Sequence, residues 1–177
     1  MIRRLKTPLQ KADLAQLQAG DQILFSGLIY TARDQAHKRL AKLIKNKKKL
    51  PLSLRNQVIY YCGPTATPKG KVIGSCGPTT SSRMDEFTGA LLGFGLLAMI
   101  GKGRRSKEVK DLIKKHKAIY FLAPSGCGAL LAKRVISKRI VCFKELGPEA
   151  IYRLEVKDFP LIVGIDAEGR DIYKHLI

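Results

Sequence analysis

Short apolar runs of strand-like composition alternate along this chain with segments whose apolar residues recur at helical spacing. Asp21–Tyr30 (DQILFSGLIY) suits a buried strand, whereas Asp34–Lys45 sets Ala36, Leu40, Leu43 and Ile44 on one face and basic residues on the other. Thr31 and Asp34 have capping-box spacing, and Lys45–Lys49 with Pro51 end that helix. Val58–Cys62 and Val72–Ser75 read as short strands joined by the Gly/Pro/Thr stretch Gly63–Gly70. A helix is expected from about Arg83 to Leu92, with Ser82 and Asp85 at cap spacing; Ser106 caps another, in which Val109, Leu112 and Ile113 share a face. Ala118–Ala123, Arg139–Phe143, Ile151–Val156 and Leu161–Ile165 are further strand candidates, with a short helix opening at Gly126-Cys127-Gly128. Such alternation predicts the α/β class. At least six strands within 177 residues argue for one domain over residues 1–177.

Composition narrows the function classes. Lys and Arg number 33 against 14 Asp and Glu, a net charge of +19, while 45% of the residues are hydrophobic, too many for a disordered chain. An excess of that size points to an anionic partner: nucleic acid, an acidic protein surface or an anionic metabolite. The start, MIRRLKTPL, has no apolar core behind its basic residues, and Ala90–Ile100 is too short for a bilayer, which takes about 20 residues. The four cysteines, Cys62, Cys76, Cys127 and Cys142, form no CxxC pair, so they read as reduced thiols of a cytoplasmic protein without a membrane role.

Three segments carry chemistry. Gly74–Asp85 (GSCGPTTSSRMD) combines glycines, a proline, four consecutive hydroxyl residues and an arginine just before a helical pattern. Free amides, hydroxyls and a guanidinium together suit a carboxylate or phosphate, although a polar turn with an ordinary cap fits the same residues. In Ser26–His37, Arg33 and Asp34 stand where a strand hands over to a helix, the usual ligand edge of open α/β sheets; Arg33 as a surface residue paired with Asp34 is the plainer reading. His37 reads as a packing or hydrogen-bonding residue. In Gly101-Lys102-Gly103, small neighbours let a lysine approach a ligand closely. Lys38–Lys49 holds seven basic residues and Lys102–Lys117 eight, against Glu108 and Asp111. Without interleaved aromatics these runs read as solvated helix faces or subunit edges rather than nucleic-acid grooves. Neither GxSxG nor HExxH occurs, so a standalone hydrolytic centre has no foundation here.

The same segments resemble the β subunit of iron–sulfur-dependent class I fumarate hydratases and L(+)-tartrate dehydratases, or the C-terminal domain of their single-chain members. The likeness runs in order through SGLIYTARDQAHKRL (26–40), YYCGPT (60–65), GSCGPTTSSRMD (74–85), IGKG (100–103), LGPEAIY (146–152) and DFPLIVGIDAEG (158–169), and covers the chain from about Thr7. GPTTxxRMD together with RDxAH is its specific part.

That resemblance implies a swivelling β/β/α domain of layered sheet and helix. It implies hetero-oligomeric assembly with an α subunit bearing a [4Fe–4S] cluster, no metal on this chain, and a small dicarboxylate substrate bound between the two. The reaction expected is reversible hydration of fumarate to L-malate, with tartrate dehydration as the alternative. By residue-level similarity Thr79 is the catalytic hydroxyl, and Arg33, Arg83 and Lys102 bind substrate carboxylates. Cys127 stands in a glycine turn where relatives are expected to carry Gly or Ala. A reading from a different class, a basic nucleic-acid-binding module, predicts tight and strongly salt-dependent binding to DNA or RNA.

Overall fold

In the computed structural model, which describes residues 2–175, the strands are β1 (Ile2–Lys6), β2 (Gln22–Thr31), β3 (Val58–Tyr60), β4 (Ala98–Gly101), β5 (Ile119–Leu122), β6 (Val135–Cys142) and β7 (Ile151–Ile165). The helices are α1 (Lys11–Ala15), α2 (Asp34–Lys45), α3 (Asp85–Gly93), α4 (Lys107–His116) and α5 (Gly128–Ala132), with 3-10 turns at Ser81–Met84, Lys144–Glu149 and Ile172–His175. Strands β1 to β5 pair in parallel, each with the next, and β7 runs antiparallel to β2, β5 and β6. Since β7 pairs with both β2 and β5, the strands β2-β3-β4-β5-β7 form a closed circuit, with β1 and β6 attached outside it.

The circuit separates two apolar clusters. Along the parallel strands alternate residues point to opposite faces: Val58, Tyr60, Ala98, Ile100, Ile119 and Phe121 join one cluster, and Ile59, Tyr61, Met99 and Tyr120 the other. Burial on both faces is what makes these runs apolar without alternation. The second cluster is covered by helices, with α3 packed against both α2 and α4. Helix α2 buries Ala36, His37 and Leu40 and keeps its lysines outward. Ser106 caps α4 as expected, its Oγ accepting from the Val109 N–H at 3.2 Å.

Several expectations need correction. Val72–Ser75 is not a strand; Ile73 is buried but the segment is a loop, and the carbonyls of Thr65 and Ala66 occupy the space a side chain at Gly74 would need. The Thr31–Asp34 capping box does not form: the Thr31 hydroxyl accepts from the Tyr152 N–H at 3.1 Å, tying β2 to β7. Helix α3 begins without a side-chain cap from Ser82. The two expected strands 151–156 and 161–165 are one, because the residues between them carry a bulge rather than a break. Asp158 takes φ 48° there, and its N–H is satisfied by Ser26 Oγ at 3.0 Å. Strands β1 and β4 had not been anticipated. The first, IRRLK at the sheet edge, breaks the alternation of apolar and polar residues with two adjacent arginines, and the second ends an apolar run whose periodicity cannot separate strand from helix. Among the described residues no helix is long and apolar enough to cross a membrane.

Candidate active site

The four residues singled out from the sequence come to one rim, at the C-terminal ends of the parallel strands, where ligands of α/β sheets usually bind. Arg33 is the residue that joins β2 to α2, and the junction is fixed by Ala32, whose N–H donates to Tyr60 O at 3.0 Å. Thr79 is half-buried in the loop after β3, its N–H donating to Tyr61 O at 2.7 Å. Arg83 projects from the 3-10 turn at Ser81–Met84, and Lys102 follows β4 directly. Thr80 and Lys102 pair as an isolated parallel bridge, closed by the Ser81 N–H donating to Lys102 O at 3.0 Å. The glycine-rich loop is seated from below as well: the Cys76 N–H donates to Gly128 O at 3.2 Å, and a Cβ at Gly128 would lie 2.8 Å from Gly77 N.

Arg33 and Arg83 meet through one carboxylate. Asp34 Oδ1 accepts from Arg83 Nε at 2.8 Å, and its Oδ2 lies 3.6 Å from Arg33 Nε. Glu149, from the turn before β7, places Oε1 3.9 Å from the same Arg33 nitrogen. The Arg33 side chain lies against Gly63, where an added Cβ would come 2.9 Å from its Cδ.

Behind Lys102 is a buried polar network. The Lys102 N–H donates to Ser81 Oγ at 3.0 Å, and Tyr120 Oη lies 2.8 Å from Ser81 Oγ and 3.0 Å from Gly103 O. A carbonyl only accepts, so the tyrosine proton goes to Gly103 and the serine proton to Tyr120. Arg105 lies between the rings of Tyr61 and Tyr120, 5.4 and 5.0 Å from their centroids, and gives Nε to Asp85 Oδ1 at 2.7 Å. Asp85 Oδ2 takes the Ser106 N–H at 2.8 Å, so the expected cap residue of α3 instead ties α3 to the start of α4. Gly101 leaves room for this network, since a Cβ there would strike Ser81 Oγ and lie 2.8 Å from Tyr61 Cδ2. Gly101→Ala is therefore expected to lower stability by about 1–3 kcal/mol, as overpacking does, with a matching fall in Tm.

His37 is a packing residue, as its sequence context indicated. It is buried, edge-on to Tyr61 at 5.2 Å, and its Nδ1–H donates to Arg33 O at 2.9 Å, leaving Nε2 buried without a partner. Burial brings its pKa from 6.5 down to about 4, against the opposing effect of the Arg33 carbonyl. Between those values the unfolded chain binds a proton that the folded one does not. The contribution is complete above pH 6.5 and is lost as pH falls to about 4, roughly 3 kcal/mol at 1.36 per unit. Denaturant titrations at a series of pH values should show that slope, and His37→Gln should flatten it.

The sequence did not reveal Glu149, Ser81, Tyr120 or Arg105 as parts of this rim. The consecutive hydroxyls at 79–82 were the one signal for Ser81, and nothing local marks a tyrosine from β5 as its partner. A cavity of about 320 Å³ bordered by Lys11, Arg55 and His116 lies beside the N-terminal ends of β3 and β4, away from the rim.

Residues 2–176 match the family described as the fumarase C-terminus. The chain belongs to that family. Fumarate hydratase 2 of Leishmania major is 39% identical over 174 residues, which are 96% of this chain and 30% of that protein. The putative L(+)-tartrate dehydratase subunit beta of Methanocaldococcus jannaschii is 40% identical over 95% of this chain and 89% of its own length. The L(+)-tartrate dehydratase subunit beta of Escherichia coli is 35% identical over 97% and 87%. This fumarase C-terminus chain thus spans about a third of the fumarate hydratase and nearly all of each tartrate dehydratase subunit.

The four cysteines of this family member are free thiols, Cys62 and Cys76 buried and Cys127 and Cys142 partly so. Burial raises the thiol pKa of Cys62 well above its usual range and pushes Cys76 up to about 11, which keeps both protonated. Among the described residues no three His, Cys, Asp or Glu side chains converge as a metal-holding group. Cys127, half-buried in its glycine turn, precedes α5 without capping it.

Proposed function

We propose that this chain is the β subunit of a two-subunit hydro-lyase that interconverts fumarate and L-malate. Membership of the fumarase C-terminus family, with two arginines, a lysine and a threonine on one strand rim, carries that reading. Arg33, Arg83 and Lys102 hold the two substrate carboxylates, the guanidiniums because their paired donors match a planar carboxylate. Thr79 Oγ, deprotonated, takes the proton from the carbon next to the departing hydroxyl in dehydration and becomes a neutral hydroxyl; in hydration it returns that proton to carbon. A threonine needs a neighbour that lowers its proton affinity, and we assign that part to Lys102, whose backbone pairs with the adjacent Thr80. A [4Fe–4S] cluster on the α subunit supplies the Lewis acid towards the hydroxyl; no step on this chain depends on a metal of its own. In this reading residues 1–177 act as one swivelling β/β/α domain within a cytoplasmic hetero-oligomer.

Tartrate dehydration is a second reading, favoured by the two tartrate dehydratase beta subunits that match this chain almost end to end. One experiment tests both. Purified chain is combined anaerobically with the cluster-bearing subunit, and malate formed from fumarate and oxaloacetate formed from tartrate are measured. Turnover of fumarate supports the first reading and turnover of tartrate the second. Turnover of neither, with tight DNA or RNA binding in a gel shift at near-physiological salt, would replace both with the nucleic-acid module.

A further inference from the structure

We propose that Asp34 is a positioning residue that holds Arg83, and with it the Arg33–Arg83 pair, in the orientation that receives a substrate carboxylate. The inference rests on the function proposed above and assigns a role to a residue that does not itself meet the substrate. Arg83 is 51% exposed on a short 3-10 turn, so its long side chain would otherwise sample many rotamers. Its Nε–H donates to Asp34 Oδ1 at 2.8 Å. A guanidinium has five N–H donors, and a bond at Nε leaves the Nη edge for a second, bidentate carboxylate.

Asp34 suits this task because of where the fold holds it. It is the first residue of α2, where the helix N-terminus favours a negative charge, and its Oδ2 is buried without a hydrogen-bond partner. That oxygen is closed to a ligand, which excludes a catalytic part for it. It lies 3.6 Å from Arg33 Nε, which is also buried and unpartnered, so a shift of a few tenths of an ångström joins both arginines to one carboxylate. Without that charge, two guanidiniums would face one another across the same space.

Two measurements test the role. In the full chain, the ¹⁵N-resolved Arg83 Nε–H should exchange slowly with solvent, quickly in Asp34→Ala, and at an intermediate rate in Asp34→Asn, whose amide oxygen still accepts. In the two-subunit enzyme, Asp34→Ala should raise KM for the dicarboxylate by ~10–10²-fold with little change in kcat. Added to Arg83→Ala it should cost less than it costs the wild type, because only Arg33 then remains for it to hold. Exchange at Arg83 unaffected by Asp34→Ala would overturn the proposal, as would additive losses in the double variant or a fall in kcat at constant KM. Should the wild-type pair turn over no dicarboxylate, the functional reading fails, while the exchange measurement still decides whether Asp34 orients Arg83.

Discussion

Thr79→Ala is expected to lower kcat of the two-subunit enzyme by ~10²–10⁴-fold while KM stays near its wild-type value. The fold has no need of the hydroxyl. What anchors Thr79 is its backbone N–H on Tyr61 O, at 2.7 Å, and alanine keeps that bond. The residues assigned to the carboxylates, Arg33, Arg83 and Lys102, are untouched, so the loss should fall on the chemical step. Thr79→Ser, which restores the oxygen without the methyl group, should recover much of the rate. Steady-state kinetics in both directions check this, and an alanine variant at full kcat would remove Thr79 from the mechanism.

The second large effect is expected from Arg83→Lys, at least ~10²-fold in kcat/KM. Arg83 has two obligations that a lysine cannot meet together. Its Nε serves Asp34, while its remaining donors are free to form a fork towards a carboxylate. An ammonium group is a single compact charge. If it stays with Asp34 it is withdrawn from the substrate; if it turns to the substrate, Asp34 and Arg33 lose their counterpart. Stability should change little, because the side chain is half-exposed and exposed ion pairs contribute about 0–1 kcal/mol. A loss confined to catalysis, with an unchanged Tm, is therefore the expected pattern.

How much was legible in the sequence can be judged residue by residue. Helix α2 appears over Asp34–Lys45 as its periodicity required, and Ser106 caps α4, because both signals are local. The family resemblance, not the separate motifs, gathered Arg33, Thr79, Arg83 and Lys102 around one substrate, and the α/β order brings them to one rim. Long-range partners were not legible. Thr31 looked like a cap but bonds to Tyr152, 121 positions away, and Asp85 looked like a cap but pairs with Arg105. Side chains that can satisfy either a local amide or a distant group carry no mark of which will win. Strand β4 was hidden for a different reason: burial on both faces erases the alternation by which a strand is recognised.

The closed strand circuit also dictates an order of events during biosynthesis. Its closing member, β7, is made last, yet it pairs with β2 along Gln22–Tyr30, which emerges more than a hundred residues earlier. Until β7 arrives, the ribosome-bound intermediate carries β2 with one row of peptide groups open to any passing polypeptide. The rim therefore stays incomplete until β7 has been made, and the interval before closure exposes the chain to misassembly.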